Sequence, residues 1–397
     1  MRVSLSRLLL ILLVVLLASA LLAAAHYYLA KRLILDPGIP DPWRAPLLAL
    51  VFGLGATLIL QPIGERRLKP PLSRAIAWTA SLWMGLVFLL LVQLFVTEPL
   101  LWLAGCVAGA AAPGPGEALA AARAALVSAV ALLAGGVGLR SARRPPRLER
   151  VEVELTRWPR ELDGFRVVQV SDTHIGPILG QRFAEHVVAR VNALDADLVA
   201  LTGDLVDGAV RRLASDVAPF ARLRARHGAF FVTGNHDHLS GAGAWCARVR
   251  ELGIRVLRNE RVEIREGGAV FDLLGVDDHH GRIISREGGE DLDAALEGRD
   301  PGRPALLLAH DPSTFKRASG LGIDLQLSGH THAGQLWPFC YLVRLAIPFV
   351  AGRYRRGAAE LYVSRGTGFW GPAMRLRAPA EITEIVLRSG DRVSSTG

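Results

Sequence analysis

The sequence predicts two parts of different class: an N-terminal α-helical transmembrane region and, after it, an α/β domain built on a parallel sheet. Three observations carry this. Hydrophobic residues make up 51% of the 397, and their excess lies near the N-terminus. Residues 1–150 hold 15 Lys and Arg against 6 Asp and Glu, a charge of +9. The whole chain also carries +9, so the remainder is neutral. Finally, beyond residue 165 short apolar runs alternate with amphipathic stretches, the pattern of βαβ units.

Each apolar segment can be matched to the ~20 residues that a bilayer-spanning helix needs. Spans are expected near 8–28, 46–62, 75–97 and 118–139 within a membrane anchor covering 1–142. His26, Tyr27 and Tyr28 suit the interface at the end of the first span. Leu100–Ala112 is too short to cross alone and is expected to extend the third helix past Pro99 or to lie at the surface. The fourth span is Ala/Gly-rich, with Arg123 near one end. Arg66, Arg67, Lys69 and Arg74 fill one loop, and Arg140, Arg143, Arg144 and Arg147 follow the last span. Four crossings with both termini in the cytoplasm satisfy this bias, although Lys31, Arg32 and Arg44 in the first outer loop oppose it. No acidic cluster or pairing of charges is apparent within the spans, so an anchor is expected rather than a transport pathway. Basic loops beside helices account for the net charge, and no nucleic-acid partner is expected. Cys106, Cys246 and Cys340 are too few and too scattered for a disulfide framework or a thiolate zinc site.

Residues 143–147, Arg-Arg-Pro-Pro-Arg, read as a stiff basic linker, and 148–397 as the second domain. There the apolar runs end in polar clusters. Phe165–Val170 delivers Asp172-Thr173-His174, and Asp197–Leu201 delivers Gly203-Asp204 and Asp207. Ala229–Thr233 delivers Gly234-Asn235-His236-Asp237. Val270–Val276 is a further strand-like run. Ala305–Ala309 delivers His310, and Ile323–Leu327 delivers Gly329-His330-Thr331-His332. Helical stretches are expected over Arg182–Leu194 and around Val210–Arg226. Side chains emptied from parallel strand ends into one crevice can meet a ligand. Asn235 offers a carbonyl oxygen, His236 a proton donor, and Asp237 a carboxylate able to hold that imidazole in one tautomer. In Asp-x-His and His-x-His, alternate residues share a face, so both side chains are expected to point one way.

In order, these clusters resemble the five motifs of the calcineurin-like metallophosphoesterases. The tail, with Gly334-Gln335, Val363–Gly368 and Arg375–Leu387, resembles the bacterial membrane-associated subgroup. The resemblance covers roughly residues 150–390. It implies a four-layer αββα sandwich and two divalent metal ions, Mn, Fe or Zn, sharing Asp204. Asp172, His174 and His332 would complete one metal site; Asn235, His310 and His330 would complete the other. It makes His236 the catalytic acid, with Asp237 orienting it and Asp207 standing behind a ligating histidine. Carboxylates mixed with imidazoles suit those metals better than calcium.

The expected activity is metal-dependent hydrolysis of a phosphomonoester or phosphodiester by a metal-bound hydroxide. The expected setting is a multi-pass protein of the bacterial inner membrane with its catalytic domain in the cytoplasm. The apolar stretch Leu336–Val350 suggests an interfacial lip and hence a lipid-linked substrate. A loop packed on the domain's own core is the plainer reading of it. The alternatives are a phosphodiesterase for soluble nucleotides or a catalytically silent membrane scaffold.

Overall fold

The computed structural model describes residues 5–107, 116–285 and 287–390 of the chain. It divides into two compact units. One comprises residues 1–139 with 371–374, and the other 140–370 with 375–397.

Among the described residues the first unit holds four helices long and apolar enough to cross a membrane: α1 (Leu5–Ala30), α2 (Arg44–Arg67), α3 (Leu72–Val107) and α4 (Glu117–Ala142). Helix α3 runs through Pro99, so the short apolar segment extends it as far as Val107; residues 108–112 lie outside the described residues. Charges that looked unpaired in the sequence are paired in space. Arg32 binds Glu98 and Asp36, Lys31 binds Asp36, and Tyr28 donates to Glu98. Glu98 lies some 66 to 70 residues from Arg32 and Tyr28 in sequence, so a linear reading does not join them. His26 accepts from the Trp83 indole N–H at 2.9 Å. The short insertion 371–374 packs here through Ser81, whose hydroxyl donates to the Gly371 carbonyl and accepts from the Ala373 N–H.

The second unit contains two six-stranded sheets. In chain order the strands are β1 (Arg147–Leu155), β2 (Arg166–Val170), β3 (Leu198–Thr202), β4 (Ala229–Val232), β5 (Arg255–Val256) and β6 (Glu260–Glu266). There follow β7 (Ala269–Gly275), β8 (Ala305–Leu308), β9 (Leu325–Ser328), β10 (Gly352–Arg356), β11 (Ala359–Val363) and β12 (Glu381–Ser389). Sheet order is β1-β12-β2-β3-β4-β5 in one and β10-β11-β9-β8-β7-β6 in the other. Strands β2 to β5 are mutually parallel, as are β7, β8, β9 and β11, while β6 and β10 are antiparallel edges. Strand β1 begins at Arg147, the last residue of the expected linker.

Side-chain alternation explains the layering. Leu198 and Ala200 of β3 join Phe271, Leu306, Leu308 and Leu327 in a core between the sheets. Val199 and Leu201, one residue out of phase, face a second core with the helix α5 (Gln181–Asn192). That helix buries Ala184, Val187, Val188 and Val191, the i, i+3, i+4, i+7 stripe of an amphipathic helix. On the far side Leu274, Ala305 and Leu307 pack with Leu292, Ala295 and Ala318. The result is helix, sheet, sheet, helix: the four-layer metallophosphoesterase sandwich. Both faces of each parallel sheet are covered, so its central strands read as continuous apolar runs. Every parallel strand leaves its polar cluster at the same edge.

Candidate metal centre

The site is built where β2, β3, β4, β8 and β9 end. The first sheet brings Asp172, His174, Asp204, Asp207, Asn235 and His236; the second brings His310, His330 and His332. Backbone bonds tie the turns together. The Asp172 N–H donates to the Gly203 carbonyl at 3.0 Å, and the His174 N–H to the Asp204 carbonyl at 3.1 Å. Across the sheets, the His330 N–H donates to the Asp172 carboxylate at 3.0 Å, and the Gln169 amide to the Ser328 carbonyl at 2.9 Å.

The turns are strained. Asp172, His174, Asp204, His330 and His332 all have left-handed backbone, with φ of 54, 45, 51, 73 and 50°. Such conformations cost a non-glycine residue of order 1 kcal/mol or more and cluster where function holds them. In Asp-x-His and His-x-His, therefore, the two side chains converge through left-handed turns and not through strand alternation. Two glycines are required by close approach. A Cβ on Gly234 would overlap the Asp204 carboxylate, and one on Gly329 would overlap Ser171 and Asp172.

The nine expected site residues come together, with one change of role. Asp172, His174 and His332 form one group and Asp204, His310 and His330 another, with donor atoms in each within 4.8 Å of one another. His332 Nε2 lies 3.4 Å from Asp172 Oδ1, and His174 Nε2 lies 3.8 Å from Asp204 Oδ2. His310 Nε2 lies 3.2 Å from the same Asp204 oxygen. Asn235 Oδ1 stands 2.9 Å from His330 Nδ1. Asp204 thus reaches both groups.

Asp237 does not touch the His236 ring. It occupies the third position of the short helix α6 (Asn235–Ser240), where its two oxygens accept the Gly234 N–H at 2.8 Å and the Leu205 N–H at 3.0 Å. Consecutive helical residues point about 100° apart, so the carboxylate after His236 turns toward the backbone as a cap. Asp207 takes the expected role. It lies 2.7 Å from His236 Nδ1 and 3.1 Å from His174 Nδ1.

Charge follows this geometry. Burial opposes ionisation of Asp204, but His310, His236 and His174 hold it well below the usual carboxylate range. Asp207, half-buried, is held low against its desolvation by His174 and His236. Burial disfavours the charged His236 ring, yet the Asp207 hydrogen bond and the Asp204 charge push it up to about 9. Burial and the neighbouring Asp204 raise Asp237 to about 7.

The arrangement fits divalent cations. His174 Nε2 and His332 Nε2 face each other at 3.0 Å, both buried. His310 Nε2 is buried without a hydrogen-bond partner, although its Nδ1 lies 2.8 Å from the Thr202 carbonyl. Buried ring nitrogens aimed together at carboxylates, with their other nitrogens fixed by a carbonyl or carboxylate, are how metal-ligating imidazoles are held.

Three features were missed. Arg375, fully buried, places Nη2 3.1 Å from His332 Nδ1 and donates to the Gly368 carbonyl; burial pulls its guanidinium down to about 10. Trp370 sets its ring edge-on to His236 at 5.4 Å. Asp278, His279 and His280, after β7, form a further cluster. Its signal was available: another strand ending in polar residues.

Fold and site together define a phosphoesterase-type metal-binding domain. The family model for calcineurin-like phosphoesterase matches residues 165–334. An uncharacterized metallophosphoesterase of Aquifex aeolicus is 31% identical over 245 residues, which cover 61% of this chain and 92% of that protein. A bovine "transmembrane protein with metallophosphoesterase domain" is 40% identical over 278 residues, covering 67% of this chain and 63% of its own length. The chain therefore spans less than two thirds of that relative. A dimetal phosphatase structure from Danio rerio aligns with 55% of this chain and 91% of its own, at 13% identity and a TM-score of 0.34. The chain belongs to the calcineurin-like metallophosphoesterase family.

Proposed function

We propose that the chain is a membrane-anchored, dinuclear-metal-dependent phosphoester hydrolase. The observation that carries this is the convergence of seven side chains from five strand ends, five of them on strained backbone. Asp172, His174 and His332 would hold one ion, Asn235, His310 and His330 the other, with Asp204 within reach of both. Such a pair supplies Lewis acidity to a phosphoryl oxygen and acidifies a water to near neutral pKa. His236 has its Nδ1 fixed by Asp207, which leaves Nε2 to face a substrate and hand a proton to the leaving oxygen. Asp237 keeps the β3 and β4 turns in register through its two backbone bonds. The test uses the full-length protein in detergent: a metal-replete sample should cleave an aryl phosphodiester, and chelation should stop it. Turnover that survives exhaustive metal removal overturns the reading.

The substrate reading is finer. After His332 the chain forms a short helix, Cys340–Ala346, in which no residue is buried. Around it Trp337, Phe339, Tyr341, Leu342 and Leu345 are exposed, Leu345 by 84%. This disfavours a loop packed on the domain's own core and favours an interfacial lip. Trp370, itself 51% exposed, continues the apolar surface to His236. A lipid-linked phosphoester suits such a surface better than a soluble nucleotide does. Four apolar helices and the Arg-rich loops beside them support a multi-pass anchor with the catalytic domain on the cytoplasmic side.

A further inference from the structure

Strand β7 ends in Asp277-Asp278-His279-His280, a cluster the reaction above does not use. Asp277 is accounted for: it pairs with Arg258 and accepts from Gly289. Asp278 is not. Its side chain is buried, one oxygen accepts the His280 N–H at 2.9 Å and lies 3.1 Å from His280 Nδ1, and the other has no hydrogen-bond partner. A buried carboxylate oxygen without a partner is costly, and such a group calls for a cation or an unseen donor.

Three further donors surround it. One donor atom from each of Asp278, His279 and His280 lies within 4.8 Å of the others. The two imidazoles are partly exposed and lie 3.9 Å apart between centroids, tilted by 34°. Asp311, buried, places Oδ2 3.8 Å from His279 Nδ1, too far for a hydrogen bond. Two atoms each ~2.1 Å from one ion at a tetrahedral angle stand about 3.4 Å apart, so the gap is close to that between two ligands. Among the described residues no Lys or Arg pairs with Asp278 or Asp311. Two buried carboxylates disfavour an anion, and two imidazoles favour a transition ion over Ca²⁺ or Mg²⁺.

We infer that Asp278, His279 and His280, with Asp311, form a third divalent-cation site, of Mn or Zn class, beside the dinuclear centre. Its neighbour is the second group, since Asp311 Oδ2 also lies 3.7 Å from His330 Nε2. The site does not depend on Asp204, which separates its failure from that of the dinuclear reading.

The test counts ions. Full-length protein in detergent is stripped with chelator and titrated with Mn²⁺, and bound metal is measured by emission spectrometry and electron paramagnetic resonance. The wild type should take up about three ions per chain. His279→Ala/His280→Ala should hold about two. Asp204→Asn should keep one ion, left without magnetic neighbours and therefore giving the six-line signal of an isolated Mn²⁺, while losing the other two. His279→Gln/His280→Gln, a closer fit in volume, repeats the count should the alanine protein not fold. Saturation of the wild type at two ions, or three ions in a folded double variant, overturns the site.

Discussion

The two imidazole–carboxylate groups are alike in composition and differ in what stands behind them. In the first, Asp172, His174 and His332 have side chains no more than 7% exposed. Charged groups brace both rings: the Asp207 carboxylate on His174 and the Arg375 guanidinium on His332. In the second, neutral carbonyls do this, from Thr202 on His310 and Asn235 on His330, and His330 is 20% exposed. One group is locked by fixed charge, whereas the other opens on the side of His279 and His280. The difference teaches that an ion in the second group should exchange more freely.

The largest expected effect erases the comparison. Asp204 lies within reach of both groups, so Asp204→Asn should remove both ions of the pair and bring turnover to background. Metal analysis checks this, and retention of one tightly held ion of the pair would show that the carboxylate serves a single group. Next comes His236→Ala. Turnover should fall by about 10²–10⁴-fold, the usual contribution of a general acid, with metal content unchanged. Loss of metal along with activity would instead place His236 among the ligands.

Arg375→Met sharpens the asymmetry. Removing a partner behind a ligand typically costs 10–100-fold in affinity or activity. One ion, that of the first group, should weaken by about this factor. Competition with a chelator reads the two ions separately, and equal weakening of both would contradict the assignment of Arg375 to His332 alone. Asp237 offers the complementary control. Asp237→Ala strands the Gly234 and Leu205 N–H groups in a buried place, at about 1–3 kcal/mol for each unmade bond. It should lower the melting temperature more than it lowers turnover per folded molecule. A stable protein with the activity of His236→Ala would restore Asp237 as the residue that orients the acid.

Much of this was legible in the sequence because strands and clusters repeat one grammar. Apolar runs of four to seven residues fall within a residue or two of the strands, and the polar residues after them converge in space. The reasons were less legible than the residues. Strand alternation would aim Asp172 with His174 and His330 with His332, but left-handed turns do it, and no local pattern announces those at non-glycine positions. Asp237 was assigned by adjacency to His236, whereas its neighbour in space is the backbone of two turns. Arg375, Asp311 and the Arg32–Glu98 pair depend on contacts between distant segments, which a linear reading does not contain. The edge strands β6 and β10 bury little, β6 turning Val262 and Ile264 to the core between the sheets among charged neighbours, so a linear reading passes over them.

The smallest expected effect concerns the lip. Trp337 and Phe339 are each 41% exposed and follow directly on the His332 turn. If the lip meets the bilayer, each ring places apolar area there at roughly 25 cal/mol per Å². The four apolar helices are long enough to hold the protein in a membrane by themselves, so replacing both rings by serine should not release it. What should change is how a lipid substrate enters relative to a soluble one. Trp337→Ser/Phe339→Ser should leave hydrolysis of a soluble aryl diester near wild type and lower that of a lipid phosphodiester in vesicles by about tenfold, some 1.4 kcal/mol. The ratio of the two rates in the same preparation is the readout, since it cancels differences in folded fraction and metal content. An unchanged ratio would leave the exposed aromatics without a part in substrate choice and return the soluble diester to equal standing.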